Sequence, residues 1–303
     1  MNQRSNSEEQ ARVMESLATA QQHHQAGRLQ EAEAIYTRIL QQDPNHADAL
    51  HLLGMVAHQA GKNDIAVDLI RRAIANNPQA HHFYCNLALV LTARGEAESA
   101  MQAYQQALEL KPDFAEAYYN LGIIQKQQGQ LEAAIKNYQQ VIQLTPDFAP
   151  VYNSLGNALR DQGLLEAAIE QLEHAILLQP DYAVAHYNLG HVLKDQGQLE
   201  AAVHKFQQAI RLKPEYFDAY SSLGHALMEQ RHYETALDNH RKALQIEPGN
   251  LAAYCNLGDA LLKMRRLSDA RDQYEAALKL NAEHLGAISG LANLNEQSSR
   301  LEE

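Results

Sequence analysis

The sequence predicts an all-α solenoid, a row of helical hairpins, and three observations predict it. Seven of the eight prolines fall at 44, 78, 112, 146, 180, 214 and 248, each 34 residues after the last. With that proline counted as position 32 of a repeat, the repeats begin at Val13, Ala47, His81, Ala115, Ala149, Ala183, Phe217 and Leu251. Position 20 is then alanine in all eight, from Ala32 to Ala270. Between prolines, apolar residues recur in two stripes at helical spacing. A period of this size is the signature of a stacked-repeat architecture, in which each hairpin buries its apolar face against its neighbours.

The elements follow in order. Residues 1–12 are polar (MNQRSNSEEQ leads) and are expected to form a disordered tail. Residues 13–284 form the array, as 13–46, 47–80, 81–114, 115–148, 149–182, 183–216, 217–250 and 251–284. In each repeat, positions 4, 7, 8 and 11 make the buried stripe of a first helix, here named A, as in Tyr118, Leu121 and Gly122. Gly27, Gly61, Gly95, Gly129, Gly163 and Gly197 at position 15 mark its end, because glycine takes the left-handed conformation that closes a helix. A second stripe (Leu131, Ala134, Tyr138, Val141, Ile142) defines helix B, and Glu132 or Glu200 in its first turn complements the helix dipole. Proline at position 32 cannot continue helix B. The Asp after it (Asp113, Asp147, Asp181) is expected to cap the next helix A, with Asp113 and Glu116 at capping-box spacing. Pro150, outside the period, then falls in the first turn, where its missing N–H costs little. Small residues at position 8 (Gly54, Ala88, Gly122, Gly156, Gly190, Gly224, Gly258) predict close approach of A to B. Residues 285–303 repeat the A pattern without a B and turn polar, a capping helix and tail.

Composition narrows the function. There are 25 basic and 37 acidic residues, a formal charge of −12, which opposes nucleic-acid binding. No run reaches the roughly 18 apolar residues of a membrane helix, and the first ten have no secretory core, so a cytoplasmic protein without membrane insertion is expected. Cys85 and Cys255 give neither a disulfide framework nor a zinc set. Fifteen histidines invite a metal, yet there is no HExxH or CxxC, and the expectation is no metal and no cofactor. GMVAHQAGK (54–62) imitates a phosphate loop but has six residues between its glycines and lies in helix A by periodicity. With no GxSxG or GxGxxG either, no catalysis is expected from this chain alone.

Blocks such as AEAYYNLGIIQKQQGQLEAAIKNYQQVIQLTPDF (115–148) and AVAHYNLGHVLKDQGQLEAAVHKFQQAIRLKPEY (183–216) resemble the tetratricopeptide repeat, with its consensus Trp replaced. The resemblance covers 13–284 and implies a right-handed superhelix whose A helices line a concave groove. N-L-G in this register is also similar to the repeats of O-linked N-acetylglucosamine transferase, where an asparagine ladder holds substrate peptides. The carboxylate clamp of chaperone-binding members is absent, since position 2 holds Asp48, His82, Glu116, Pro150, Val184 and Asp218.

Helical arithmetic puts position 6 about 200° from position 4, on the groove side. Position 6 carries Asn86, Asn120, Ser154, Asn188, Ser222 and Asn256. In mid-helix these cost roughly 0.5 kcal/mol each against alanine, so something offsets them. An amide row suits the backbone of an extended peptide; duplication of one repeat, or bonding to a neighbouring repeat, are the alternatives. Nearby groove candidates are Asn157, His191 and His225 at position 9 and Lys126, Arg160 and Lys194 at position 12. The expected function is a non-enzymatic scaffold binding an extended segment of a partner protein. The alternatives are the substrate-recruiting arm of a glycosyltransferase and a platform self-assembling through end repeats, with Leu285, Ile288 and Leu291 exposed.

Overall fold

A computed structural model describes residues 2–302, and side chains over residues 11–298. Among the described residues there are seventeen helices and no strand. In chain order they are α1 (Asn2–Gln25), α2 (Leu29–Gln42), α3 (Ala47–Gln59), α4 (Asn63–Asn76), α5 (His81–Ala93), α6 (Ala97–Leu110), α7 (Ala115–Gln127) and α8 (Leu131–Leu144). There follow α9 (Ala149–Asp161), α10 (Leu165–Leu178), α11 (Ala183–Asp195), α12 (Leu199–Leu212), α13 (Phe217–Glu229), α14 (Tyr233–Ile246), α15 (Leu251–Lys263), α16 (Leu267–Leu280) and α17 (Leu285–Glu302). Odd-numbered helices are A helices and even-numbered ones B helices. The tail expected over 1–12 falls mainly on residues whose side chains lie outside the described ones.

The helices gather into two compact halves, Met1–Pro146 and Asp147–Glu303. Within each half, every A helix packs on its own B, and each B packs on the next A. Successive A helices also touch directly, as α3 with α5 and α9 with α11. This is the packing of a helical-hairpin solenoid, and its core is a file of hairpin interfaces.

Close approach of A to B has a measurable cause. A Cβ added at Gly122 would sit 2.7 Å from the Tyr138 ring, one at Gly190 2.6 Å from Phe206, and one at Gly156 2.6 Å from Leu172. Position 8 is therefore the socket for the large side chain at position 24. Tyr36, Tyr104, Tyr138, Phe206 and Tyr274 there are almost fully buried. The alanines of position 20 are likewise inaccessible to water.

The A-to-B turn is a Schellman closure. Gln130 N–H donates to the Gln125 carbonyl at 2.8 Å and Gly129 N–H to Lys126 at 3.0 Å, with Gly129 at φ 74°. Six repeats use glycine in this way. The seventh and eighth hold Arg231 (φ 62°) and Arg265 (φ 57°) in the same left-handed conformation with the same bonds. At the other end, helix B stops one residue before the position preceding proline. Lys111 there has φ −141° and ψ 90°, because the proline ring excludes the helical region from its predecessor.

The expected aspartate caps are corrected. Helix A starts at position 1, its N-cap is position 34, and Phe114, Phe148 and Tyr182 stand there without side-chain cap bonds. Asp113, Asp147 and Asp181 precede the cap by one residue, so the proposed box of Asp113 with Glu116 does not close. Where position 34 is polar it does cap. His46 Nδ1 accepts from Ala49 N–H at 3.3 Å, and Asn250 Oδ1 accepts from Ala253 N–H at 3.2 Å. Pro150 does lie in the first turn of α9, and Glu132 and Glu200 in the first turns of α8 and α12.

Candidate functional site

The A-helix face turned from helix B carries positions 2, 5, 6, 9, 12 and 13. The position 6 side chains Asn86, Asn120, Ser154, Asn188, Ser222 and Asn256 are all half-buried there. Asn86 Nδ2 lies 2.7 Å from His51 Nε2, Asn188 Nδ2 donates to Asn153 Oδ1 at 2.7 Å, and Asn256 Nδ2 donates to Ser221 Oγ at 3.2 Å. Each partner is position 5 of the preceding A helix, 35 residues earlier. Asn120 instead bonds the hydroxyl of Tyr104 on the preceding helix B. Ser222 Oγ pairs with His191 Nε2 at 3.1 Å. The amide row thus stitches repeat to repeat. One hydrogen bond of about 1 kcal/mol covers asparagine's helical penalty, so bonding to a neighbouring repeat, one of the sequence alternatives, accounts for these residues energetically.

The bond also fixes chemistry. An amide nitrogen only donates, so His51 Nε2 must accept and its proton sits on Nδ1. That neutral form is the stable one, because burial, then the nearby His82 and His24, push the His51 pKa down to about 3. Each stitching amide spends one N–H. Its Oδ1 has no partner among the described residues for Asn86, Asn188 and Asn256.

The basic candidates are paired in the same inter-repeat manner. Arg160 Nε lies 2.5 Å from Asp195 Oδ2 and Lys194 Nζ 3.0 Å from Glu229 Oε1, each linking position 12 to position 13 of the next A helix. Lys126 is half-buried on α7. His191 stands edge-on to Tyr187 (4.7 Å between centroids) and Phe206 (5.1 Å). Burial, then Arg160 and Lys194, lower its pKa to about 4. Asn157 is half-buried on α9, and His225 is exposed on α13 with its ring 5.1 Å from that of His240.

Sequence reasoning missed position 5, the second member of each stitch. Its residue type varies (His51, Asn153, Ser221), and only the recurrent 35-residue offset to a polar position 6 could have revealed it. Cys85 is buried with its thiol pushed up to about 12, and Cys255 is a free, half-buried thiol 3.7 Å from His284 Nδ1. Among the described residues no three His, Cys, Asp or Glu side chains converge as metal ligands, and no helix is long and apolar enough to cross a membrane.

Comparison with known proteins agrees with this geometry. A TPR repeat model matches residues 89–129, 124–163, 156–197 and 190–231, and a second tetratricopeptide repeat model matches 23–84 and 227–294. Among solved structures, a chain of the APC/C hetero-tetramer Cut9-Hcn1 is similar at 18% identity and TM-score 0.64, over 88% of this chain and 52% of that one. The present chain therefore spans about half the length of that match. PilF of Pseudomonas aeruginosa is similar at 22% identity and TM-score 0.60, over 71% of this chain and 98% of its own. Both likenesses are at the level of the fold. MamA is similar at 26% identity and TM-score 0.51, over 54% and 96%. No curated protein sequence matches. Hairpins stacked A on B, sockets of glycine under large side chains and models matching from residue 23 to 294 lead to one assignment: the chain belongs to the tetratricopeptide repeat family, whose members are in general non-catalytic scaffolds for protein interaction.

Proposed function

We propose that the A-helix faces of the two halves bind extended peptide segments of a partner protein, with the position 6 amides as backbone contacts. The observation that carries this reading is the unspent Oδ1 on Asn86, Asn188 and Asn256. Stitching to the preceding repeat holds each amide in one rotamer, so the entropy of ordering it is already spent before a peptide arrives. An extended chain offers N–H groups that such acceptors can take, and neighbouring Asn157, His191 and His225 supply contacts that select sequence. Arg160, Lys194 and Lys126 supply local charge, the first two through ion pairs that a ligand carboxylate would have to share.

The test is to replace Asn86, Asn120, Asn188 and Asn256 by alanine and to measure affinity for a partner segment first mapped by crosslinking mass spectrometry. The expected loss is at least tenfold, about 1.4 kcal/mol, with helical content retained. Affinity unchanged within about twofold in a folded variant would remove the amides from the reading.

A further inference from the structure

A second recognition chemistry is built into the first three A helices. A cavity of about 580 Å³ opens between α1, α3 and α5, within the range of roughly 300–1,000 Å³ typical of ligand sites. Met14, Leu17 and Leu52 form its apolar wall, His51 and His82 its ring-lined wall, and Asp48 its rim. Met14 is 71% exposed, an adaptable thioether side chain left uncovered beside a concavity. His51 stacks on Phe83 (4.5 Å between centroids) and meets the His82 ring edge-on at 5.4 Å, so these imidazoles are held as a packed aromatic wall. Burial lowers the pKa of both, that of His51 to about 3, which disfavours positive charge on this wall. Asp48, exposed in the first turn of α3, is then the one carboxylate or cationic ammonium or guanidinium group on the lining, and its charge is negative.

A pocket of this composition rewards burial of a large apolar side chain, and its rim rewards a cation beside that side chain. We propose that this cavity seats a leucine-class side chain of a partner segment flanked by lysine or arginine, at a site that meets the amide row only at His51, the partner of Asn86. The apolar surface continues in the same half along position 9, where Leu89 is 41% exposed and Met55 and Ile123 are half-buried. A segment anchored at the cavity can therefore extend over further apolar surface.

The experiment uses the full chain with 13C-methyl methionine, the Met14 signal being assigned by Met14→Leu. Three peptides in a common Gly-Ser frame are titrated, carrying Lys-Leu-Lys, Glu-Leu-Glu or Lys-Asn-Lys. The Lys-Leu-Lys peptide is expected to shift Met14 to saturation, the other two to bind at least about tenfold more weakly, and Met228 and Met264 to stay still. Asp48→Lys is expected to reverse the order of the lysine and glutamate peptides, and Asp48→Asn to abolish their difference. No movement of Met14 up to about 1 mM Lys-Leu-Lys peptide in a folded chain overturns the proposal. So does an unchanged peptide order in the Asp48 variants. A Met14 shift that depends on protein concentration alone assigns the cavity to a second copy of the chain, and equally overturns it. Alanine at Asn120, Asn188 and Asn256, whose bonds go to Tyr104, Asn153 and Ser221 and not to the cavity lining, leaves this titration unchanged, so the two sites fail independently.

Discussion

Position 9 of the A helix is Gln21, Met55, Leu89 and Ile123 in the N-terminal half, apolar after the first repeat, but Asn157, His191, His225 and Asp259 in the C-terminal half. One position earlier the chain hardly varies, reading Gly54, Ala88 and Gly122 in one half and Gly156, Gly190, Gly224 and Gly258 in the other. The contrast separates two kinds of constraint. At position 8 a Cβ on the glycines would collide with the side chain of helix B, and the other two repeats hold fully buried Ala20 and Ala88, so packing restricts the position to a small residue. At position 9 no such collision fixes the residue, and its type changes from repeat to repeat. From the second repeat on, the N-terminal half is apolar at this position and the C-terminal half polar.

The largest expected effect breaks the constraint the halves share. Gly122→Val and Gly190→Val each drive a side chain into a buried ring from a Cβ already within 2.7 Å of it. Each should cost about 3 kcal/mol in urea unfolding. A cost in one half alone would mean that the halves do not obey one packing rule.

The next effect is specific to the C-terminal half. His240 occupies position 24, where other repeats have Tyr, Phe, Leu or Ile, and it is 1% exposed with Nδ1 unpartnered. Burial, then nearby His225, lower its pKa from 6.5 to about 4. Below pH 6.5 the unfolded chain takes up a proton that the folded chain refuses. The stability present at pH 7 therefore falls as pH drops from 6.5 to 4, and levels off beneath that. Phe206 over Gly190 shows that the slot accepts a phenyl ring. His240→Phe should accordingly stabilise the chain by about 2 kcal/mol at pH 7 and flatten its loss of stability toward pH 4.5, as read by unfolding midpoints at the two pH values. His51 and His191 titrate low as well, so a residual acid loss is expected in the variant.

A smaller effect compares the turns. Six repeats close helix A with glycine, whereas Arg231 and Arg265 hold left-handed φ with a Cβ in place. Arg231→Gly and Arg265→Gly should each stabilise the chain by about 1 kcal/mol in thermal or urea unfolding, and Gly163→Arg should cost about as much.

Those arginines illustrate what the sequence conceals. Period, stripes, glycine turns and the sockets of position 8 were legible because each is a residue type that the backbone demands and that recurs at one position. The helix A caps were misplaced by one residue because Asp113 looks like a cap and Phe114 does not, although the chain enters the helix at Phe114. The polar face of the A helices was legible as a set of positions, yet the stitching of Asn188 to Asn153 was not. Its two members occupy different positions of different repeats, and the type at position 5 drifts while the bond persists.

The smallest effect decides how much of the C-terminal face is left for a ligand. Arg160 with Asp195 and Lys194 with Glu229 bridge successive A helices, and all four side chains are between 29% and 47% exposed. Water competes for such charges, so a double-mutant cycle with Arg160→Met and Asp195→Asn should give a coupling of only about 0.5 kcal/mol, falling as salt rises past 0.1 M. A coupling of that size lets an incoming carboxylate compete for Arg160 at little cost to the fold, which keeps the polar half open to acidic segments. A coupling above about 2 kcal/mol, insensitive to salt, would instead make the pair a structural rivet. Recognition in that half would then fall to the uncharged side chains Asn157, Asn188 and Asn256, and the contrast with the apolar half would be one of hydrogen bonding alone.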